Sequence, residues 1–83
     1  MHVVLYSRPG CGLCDRAREV LEAQRASTPF WLEEVDVTGD DDLERAYGLR
    51  IPVVVVDGQE RFEVEVDPSE LVALVASAAL HPD

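Results

Sequence analysis

The stretch Ser7-Arg8-Pro9-Gly10-Cys11-Gly12-Leu13-Cys14 constrains this chain more than any other. It carries both cysteines, three residues apart, and it separates two kinds of periodicity. Before it, Val3-Val4-Leu5-Tyr6 is a continuous apolar run of the kind found in a central strand covered on both faces. After it, Leu13, Ala17, Val20, Leu21 and Gln24 recur at helical spacing, an apolar stripe except for its last member. Arg8-Pro9-Gly10 breaks the strand between them. The chain must therefore fold so that a strand delivers a cysteine pair to the start of a helix. A CxxC at such a junction can cycle between dithiol and disulfide.

The remaining composition narrows the setting. A chain of 83 residues is expected to form one domain, residues 1–83, around one modest core. The first apolar run is too short for a signal-peptide core or a membrane span, so the expected location is the cytoplasm. Structural disulfides are rare there, and a lone CxxC points to catalysis or metal binding. The loop that it closes is also too small to act as an effective staple. The net charge of −10, with seven arginines and no lysine, repels nucleic acid and anionic membranes, and reads as a solvated surface. Arg8, Arg16 and Arg18 flank the pair and make its surroundings less acidic than the whole. A monomer is expected.

Taken in order, residues 2–7 form the first strand, with His2 at its exposed outer end. A helix runs from Gly12 to about Arg25 and stops at Ser27-Thr28-Pro29. Phe30 to Val37 reads as a second strand, with Trp31, Leu32, Val35 and Val37 as core or face candidates. Asp40-Asp41-Asp42 is the N-cap and first turn of a short helix rather than a cation site, because it lacks the spaced oxygens of a calcium loop. That helix turns Leu43, Ala46 and Tyr47 inward and ends at Gly48, a C′ glycine. Ile51-Pro52-Val53-Val54-Val55-Val56 is the third strand, and Asp57-Gly58 is a type I′ hairpin signal. The returning edge strand alternates Phe62, Val64 and Val66 against Arg61, Glu63 and Glu65. Asp67-Pro68-Ser69-Glu70 opens a last helix with N-cap, N1 and N3 all filled, and Leu71, Val72, Leu74, Val75, Ala78 and Ala79 form its stripe. His81 near its end is explained by the helix dipole.

These features resemble the glutaredoxin-like proteins of the thioredoxin fold, in particular a small bacterial group with unassigned partners. Three things carry the resemblance: Tyr6-Ser7-Arg8-Pro9-Gly10-Cys11-Gly12-Leu13-Cys14, the Ile51-Pro52 that opens the third strand, and the element order. It covers essentially the whole chain. It implies an α/β, thioredoxin-like fold of order β-α-β-(α)-β-β-α, with a four-stranded mixed sheet and helices on both faces. It also implies a cis-proline at Pro52 facing the cysteines, with Ile51 and Pro52 beside an incoming substrate. Glutathione-using members carry a Gly-Gly pair after the third and fourth strands. Here Val64-Glu65-Val66-Asp67-Pro68 has none, which argues against glutathione and leaves no cofactor expected.

The two cysteines have unequal positions. Cys11 stands at the N-terminus of the helix, where free N–H groups and the dipole favour a thiolate, and Arg8 and Arg16 add positive charge. Cys14 lies one turn further in, beside Leu13, Ala17 and Leu21. Cys11 is therefore the expected nucleophile and Cys14 the resolving thiol. The leading expectation is a dithiol–disulfide oxidoreductase. It would act on protein disulfides and be reduced by an unidentified donor, glutathione or a flavoprotein reductase. Arg8, Ile51 and Pro52 are the candidate substrate-binding residues, and no metal site is expected. The alternatives are a redox-inert interaction domain, or thiolate metal or iron–sulfur binding by a CxxC-bridged dimer.

Overall fold

The computed structural model describes residues 1–80, with side chains described up to Ser77. Its elements are β1 (His2–Ser7), α1 (Gly12–Ser27), β2 (Trp31–Asp36), α2 (Asp41–Tyr47), β3 (Val53–Val56), β4 (Gln59–Glu63) and α3 (Pro68–Leu80). The strands form one sheet in the order β2-β1-β3-β4. β1 is parallel to β2 and antiparallel to β3, and β3 is antiparallel to β4. The mixed four-stranded sheet and thioredoxin-like element order are those expected. The α1 crossover joins the parallel neighbours β1 and β2. The sheet adds that β1 also pairs with β3, which makes β1 central. None of the described helices is long and apolar enough to cross a membrane.

The period-2 geometry of a strand sends alternate side chains to opposite faces. Val3 and Leu5 of β1, Val54 and Val56 of β3 and Phe62 of β4 therefore share one face. α1 and α3 cover it with Ala17, Leu21, Leu71 and Val75. The opposite face is covered differently. The ring of Tyr47 in α2 stacks on Tyr6 with centroids 4.1 Å apart, but no residue of α2 is fully buried. Burying the two rings against each other raises the Tyr6 hydroxyl's pKa, and Tyr47 raises it further.

Several local expectations hold for the stated reasons. Asp40 caps α2 by accepting from the Leu43 N–H. Asp67 accepts from the N–H groups of Ser69 and Glu70 at the start of α3. Asp57 and Gly58 both have positive φ, as a type I′ hairpin requires.

Others are corrected. The buried stripe of α1 is Cys14, Ala17 and Leu21, so Leu13 is turned to the rim and is 37% exposed. Trp31 is 68% exposed, its ring edge-on to His2, while the neighbours of β2 in sequence, Phe30 and Val37, are buried. Ala46 and Val72 are exposed rather than inward. Gly48 has φ −52°, an ordinary right-handed value, so it is not a left-handed C′ glycine. The alternation of β4 fails after Phe62. Val64 has φ +67° and is exposed, and the inward pattern resumes only at Val66. The side chains of Ala78 and Ala79, and His81, lie outside the described residues.

Leu21 is fully buried between α1 and the sheet, so Leu21→Ala is expected to cost about 2–5 kcal/mol in urea unfolding. Trp31→Ala, on the exposed edge, is expected to stay within about 0.5 kcal/mol of the parent.

Candidate active site

The antiparallel registers bring the end of β1, the start of β3 and the end of β4 to one edge of the sheet. Tyr6 faces Val53 and Val53 faces Glu63, so the loop after Ser7, the Ile51–Pro52 dipeptide and Val64 converge there. The loop turns through Gly10, whose φ of +75° is one that an L side chain rarely adopts. Cys11 then caps α1 in extended conformation. Its Sγ accepts the Cys14 N–H at 3.1 Å, and its carbonyl accepts the Asp15 N–H at 3.1 Å. One of the free donors of the helix N-terminus is thus aimed at this sulfur. Cys11 is half-buried, whereas Cys14 is fully buried. The two are joined as a disulfide.

A polar layer fixes α1 against β2. Arg18 engages Glu34 through both Nε (2.7 Å) and Nη2, and reaches Asp15 at 2.9 Å. The hydroxyl of Ser7, a buried polar residue, donates to the same Glu34 carboxylate at 2.7 Å. Arg18 holds the Glu34 carboxyl below the usual carboxylate range. Partial burial opposes this, and the Ser7 hydroxyl assists it. Arg18 is therefore engaged by carboxylates of α1 and β2. Sequence reasoning passed over Ser7 and Glu34. The register, which pairs Leu5 with Glu34, turns Ser7 and Glu34 to the face of α1, and neither residue alone signals it.

Arg8 is turned towards α2. Its Nη2 donates to Glu44 at 2.7 Å and to the Gly48 carbonyl at 3.3 Å, while its buried Nε–H has no partner among the described residues. The close approach explains Gly48. A Cβ there would lie 2.5 Å from the Glu44 carbonyl oxygen and 3.1 Å from the Arg8 guanidinium. Ile51 is half-buried, Pro52 is fully buried, and the bond between them is cis. The N–H of Val64 donates to the carbonyls of Pro52 (2.8 Å) and Arg50 (3.1 Å), which ties the end of β4 to this dipeptide. Arg50 itself pairs with Glu60 at 2.8 Å and Glu63 at 3.3 Å. Among the described residues, no three His, Cys, Asp or Glu side chains are grouped so as to hold a metal ion.

The structure thus brings Cys11 and Cys14 into bonding contact and sets Ile51 and Pro52 at the same edge of the sheet. Arg8 borders them with its guanidinium engaged by α2. Chemically, this is a sulfur pair with one accessible member at a helix N-terminus and one shielded member behind it.

The depressed carboxyl of Glu34 links stability to pH. A lowered folded-state pKa contributes stability that is complete above the ordinary carboxylate range and is lost as pH falls through the lowered value. Glu34→Gln is therefore expected to flatten the acid side of a stability-against-pH curve from urea unfolding, with its largest deficit near neutral pH. Gly48→Ala is expected to cost about 1–3 kcal/mol in the same assay, because its methyl displaces either the helix carbonyl or Arg8.

Comparison with known proteins agrees with this geometry. The family model described as "Glutaredoxin-like domain (DUF836)" matches residues 2–76. An uncharacterized protein of Mycobacterium tuberculosis is 37% identical over 79 residues, covering 89% of this chain and 81% of that protein. The X-ray structure of protein XcR50 from X. campestris superposes with a TM-score of 0.77 at 36% identity, covering 92% of this chain and 97% of that one. A thioredoxin mutant from Halobacterium salinarum gives a TM-score of 0.64 at 29% identity, covering 90% of this chain and 71% of that one. With a thioredoxin-like fold and a disulfide-forming CxxC at the head of its first helix, the chain belongs to the glutaredoxin-like domain (DUF836) family.

Proposed function

We propose that this protein is a dithiol–disulfide oxidoreductase that exchanges electrons with protein disulfides through Cys11 and Cys14. The observation that carries the reading is the asymmetry of the pair. The half-buried sulfur of Cys11 accepts a helix N-terminal N–H, and the sulfur of Cys14 is buried behind it. In the reduced protein the thiolate of Cys11, favoured by that N–H and by the dipole of α1, attacks one sulfur of a substrate disulfide. The substrate S–S bond breaks, a mixed disulfide with Cys11 forms, and the departing substrate thiolate takes up a proton. Cys14 then loses its proton and attacks the Cys11 sulfur. The Cys11–Cys14 bond closes and the second substrate thiol leaves. Two electrons pass to the substrate, and a dithiol donor returns the protein to its reduced form.

Arg8, Ile51 and Pro52 form the proposed substrate border. Ile51 and Pro52 stand at the sheet edge from which the cysteine loop departs. Arg8 follows β1 at the same end, its buried Nε–H without a partner among the described residues. A protein dithiol or a flavoprotein reductase is the proposed donor in preference to glutathione, since the segment after β4 has no glycine pair. A cytoplasmic, monomeric protein fits this role.

The purified protein is expected to undergo reversible two-electron oxidation, abolished in Cys11→Ser. Cys14→Ser is expected to accumulate a stable mixed disulfide on Cys11 when mixed with a disulfide substrate, read by mass spectrometry. Trapping on Cys14 in Cys11→Ser would reverse the assigned roles. A folded protein whose pair does not exchange at all would exclude the activity.

A further inference from the structure

Trp31 is the one tryptophan of the chain and the largest exposed apolar side chain among the described residues. It opens β2, which is an edge strand of the sheet. The register pairs Trp31 with His2 and Glu33 with Val4, so Trp31 and Glu33 share the sheet face on which Tyr6 meets Tyr47. Tyr47 covers that face at Tyr6, the end of β1 remote from His2. Around Trp31 the face is open: His2 and Glu33 are exposed, and Val4 and Val55 are only half-buried. The His2 ring stands edge-on to Trp31 with centroids 6.4 Å apart, and its Nε2 lies 4.0 Å from Glu33 Oε2. Trp31, His2 and Glu33 thus form one exposed corner.

The outer edge of β2 is open as well. The N–H groups of Trp31 and Val37 donate to the Met1 and Ser7 carbonyls at 3.1 and 2.9 Å. Alternation along the strand then turns the N–H and C=O groups of Leu32, Glu34 and Asp36 away from β1. These groups have no partner among the described residues. Natural edge strands bar a further strand with lysine, proline or a bulge. β2 has no lysine or proline, and its register with β1 is unbroken. Its protection is charge of a single sign, from Glu33, Glu34 and Asp36, and such protection is selective.

Glu34 turns to α1, where Arg18 and Ser7 already engage it. Glu33, on the open face, has only His2 beside it and no arginine partner among the described residues. Asp57 adds a carboxylate to the same corner, its Oδ1 accepting the His2 N–H at 2.8 Å. The chain as a whole carries a net charge of −10. A second copy is repelled here, because antiparallel pairing of two β2 edges sets Glu33, Glu34 and Asp36 against the same carboxylates. A basic strand satisfies each feature at once. Its backbone completes the open ladder, the stem and guanidinium of an arginine cover the Trp31 ring, and the charge meets Glu33.

We infer that the β2 edge is a docking site for a basic, extended segment of a partner protein. The segment adds as a further strand beside Leu32, Glu34 and Asp36, with an arginine stacked on Trp31 and paired with Glu33. β1 and β2 run parallel, so Trp31 lies at the end of the sheet remote from the cysteine loop, about 16 Å along the strands. A partner held there leaves the sulfurs uncovered. The inference stands independently of the disulfide-exchange reading.

The test uses the full chain and a blocked peptide, Thr-Arg-Val-Arg-Val-Arg-Thr, with two counterparts. One is N-methylated at the central Val-Arg-Val, and the other carries Glu in place of every Arg. Calorimetry measures binding, and the fluorescence of Trp31 reports it in the wild type. The Arg peptide is expected to bind about tenfold or more tightly than either counterpart, and to slow hydrogen exchange at the amides of Leu32, Glu34 and Asp36. Trp31→Ala, which is expected to leave folding intact, weakens binding by about five- to tenfold. Glu33→Gln weakens it by about two- to fivefold, whereas Glu19→Gln, which removes the same charge from α1, leaves it unchanged. Equal binding of the N-methylated peptide, equal losses in Glu33→Gln and Glu19→Gln, or no saturable binding of the Arg peptide up to about 1 mM overturns the inference. A dimer in sedimentation equilibrium that Trp31→Ala dissolves also overturns it and gives the edge to a second copy.

Discussion

The candidate site depends on where α1 begins and how firmly it is held. Pro9 and Gly10 end β1 and reverse the chain, and Cys11 supplies the cap in place of the usual oxygen side chain. From that point the helix is gripped twice. Ala17 and Leu21 press into the core with Leu5 and Val54, while Arg18 locks onto Glu34 of β2. The first contact fixes the rotation of the helix and the second limits its tilt. Cys14 is buried because it precedes Ala17 by one turn on the same face. Cys11 remains reachable because it lies before the first turn. The unequal cysteines are thus a consequence of helix packing.

The second organising feature is the shared edge of β1, β3 and β4. Antiparallel pairing of β1 with β3 sets the cysteine loop and Ile51–Pro52 side by side although they are about half the chain apart. Backbone bonds from Val64 then close the third side. Arg8 joins the same edge to α2, and Gly48 leaves the room that its guanidinium needs. The loop, the dipeptide and the short helix therefore form one connected unit around the sulfurs. In this acidic chain most arginines serve as internal ties, and Arg16 and Arg61 are left without partners among the described residues.

Local chemistry was legible in the sequence wherever it is decided by near neighbours. The caps at Asp40 and Asp67, the Asp57-Gly58 turn and the strand-to-helix switch at the CxxC all depend on residues within a few positions. The family resemblance rested on such local signals, and the fold followed from it. Reading failed where a neighbour distant in sequence decides. Leu13 looked inward by spacing, but a helical stripe defines a face only to within a residue, and the sheet selected the Cys14 side. Gly48 looked like a left-handed cap, but it is right-handed, and a Cβ there is opposed by the Glu44 carbonyl and by the guanidinium of distant Arg8. Val64 looked inward by alternation, but bonds to Arg50 and Pro52 hold it in a left-handed turn.

The sequence by itself determined that a cysteine pair opens a helix after a strand, because hydrophobic period and turn residues act over a few positions. It also determined that Cys11 stands at the helix N-terminus and Cys14 one turn inside, while packing decided that the Cys14 side is the buried one. Only the tertiary structure decided which carboxylate holds α1, what Arg8 grips, and which apolar side chains surround the sulfurs. Those depend on strand register, which joins residues far apart in the chain and has no signature in either partner alone.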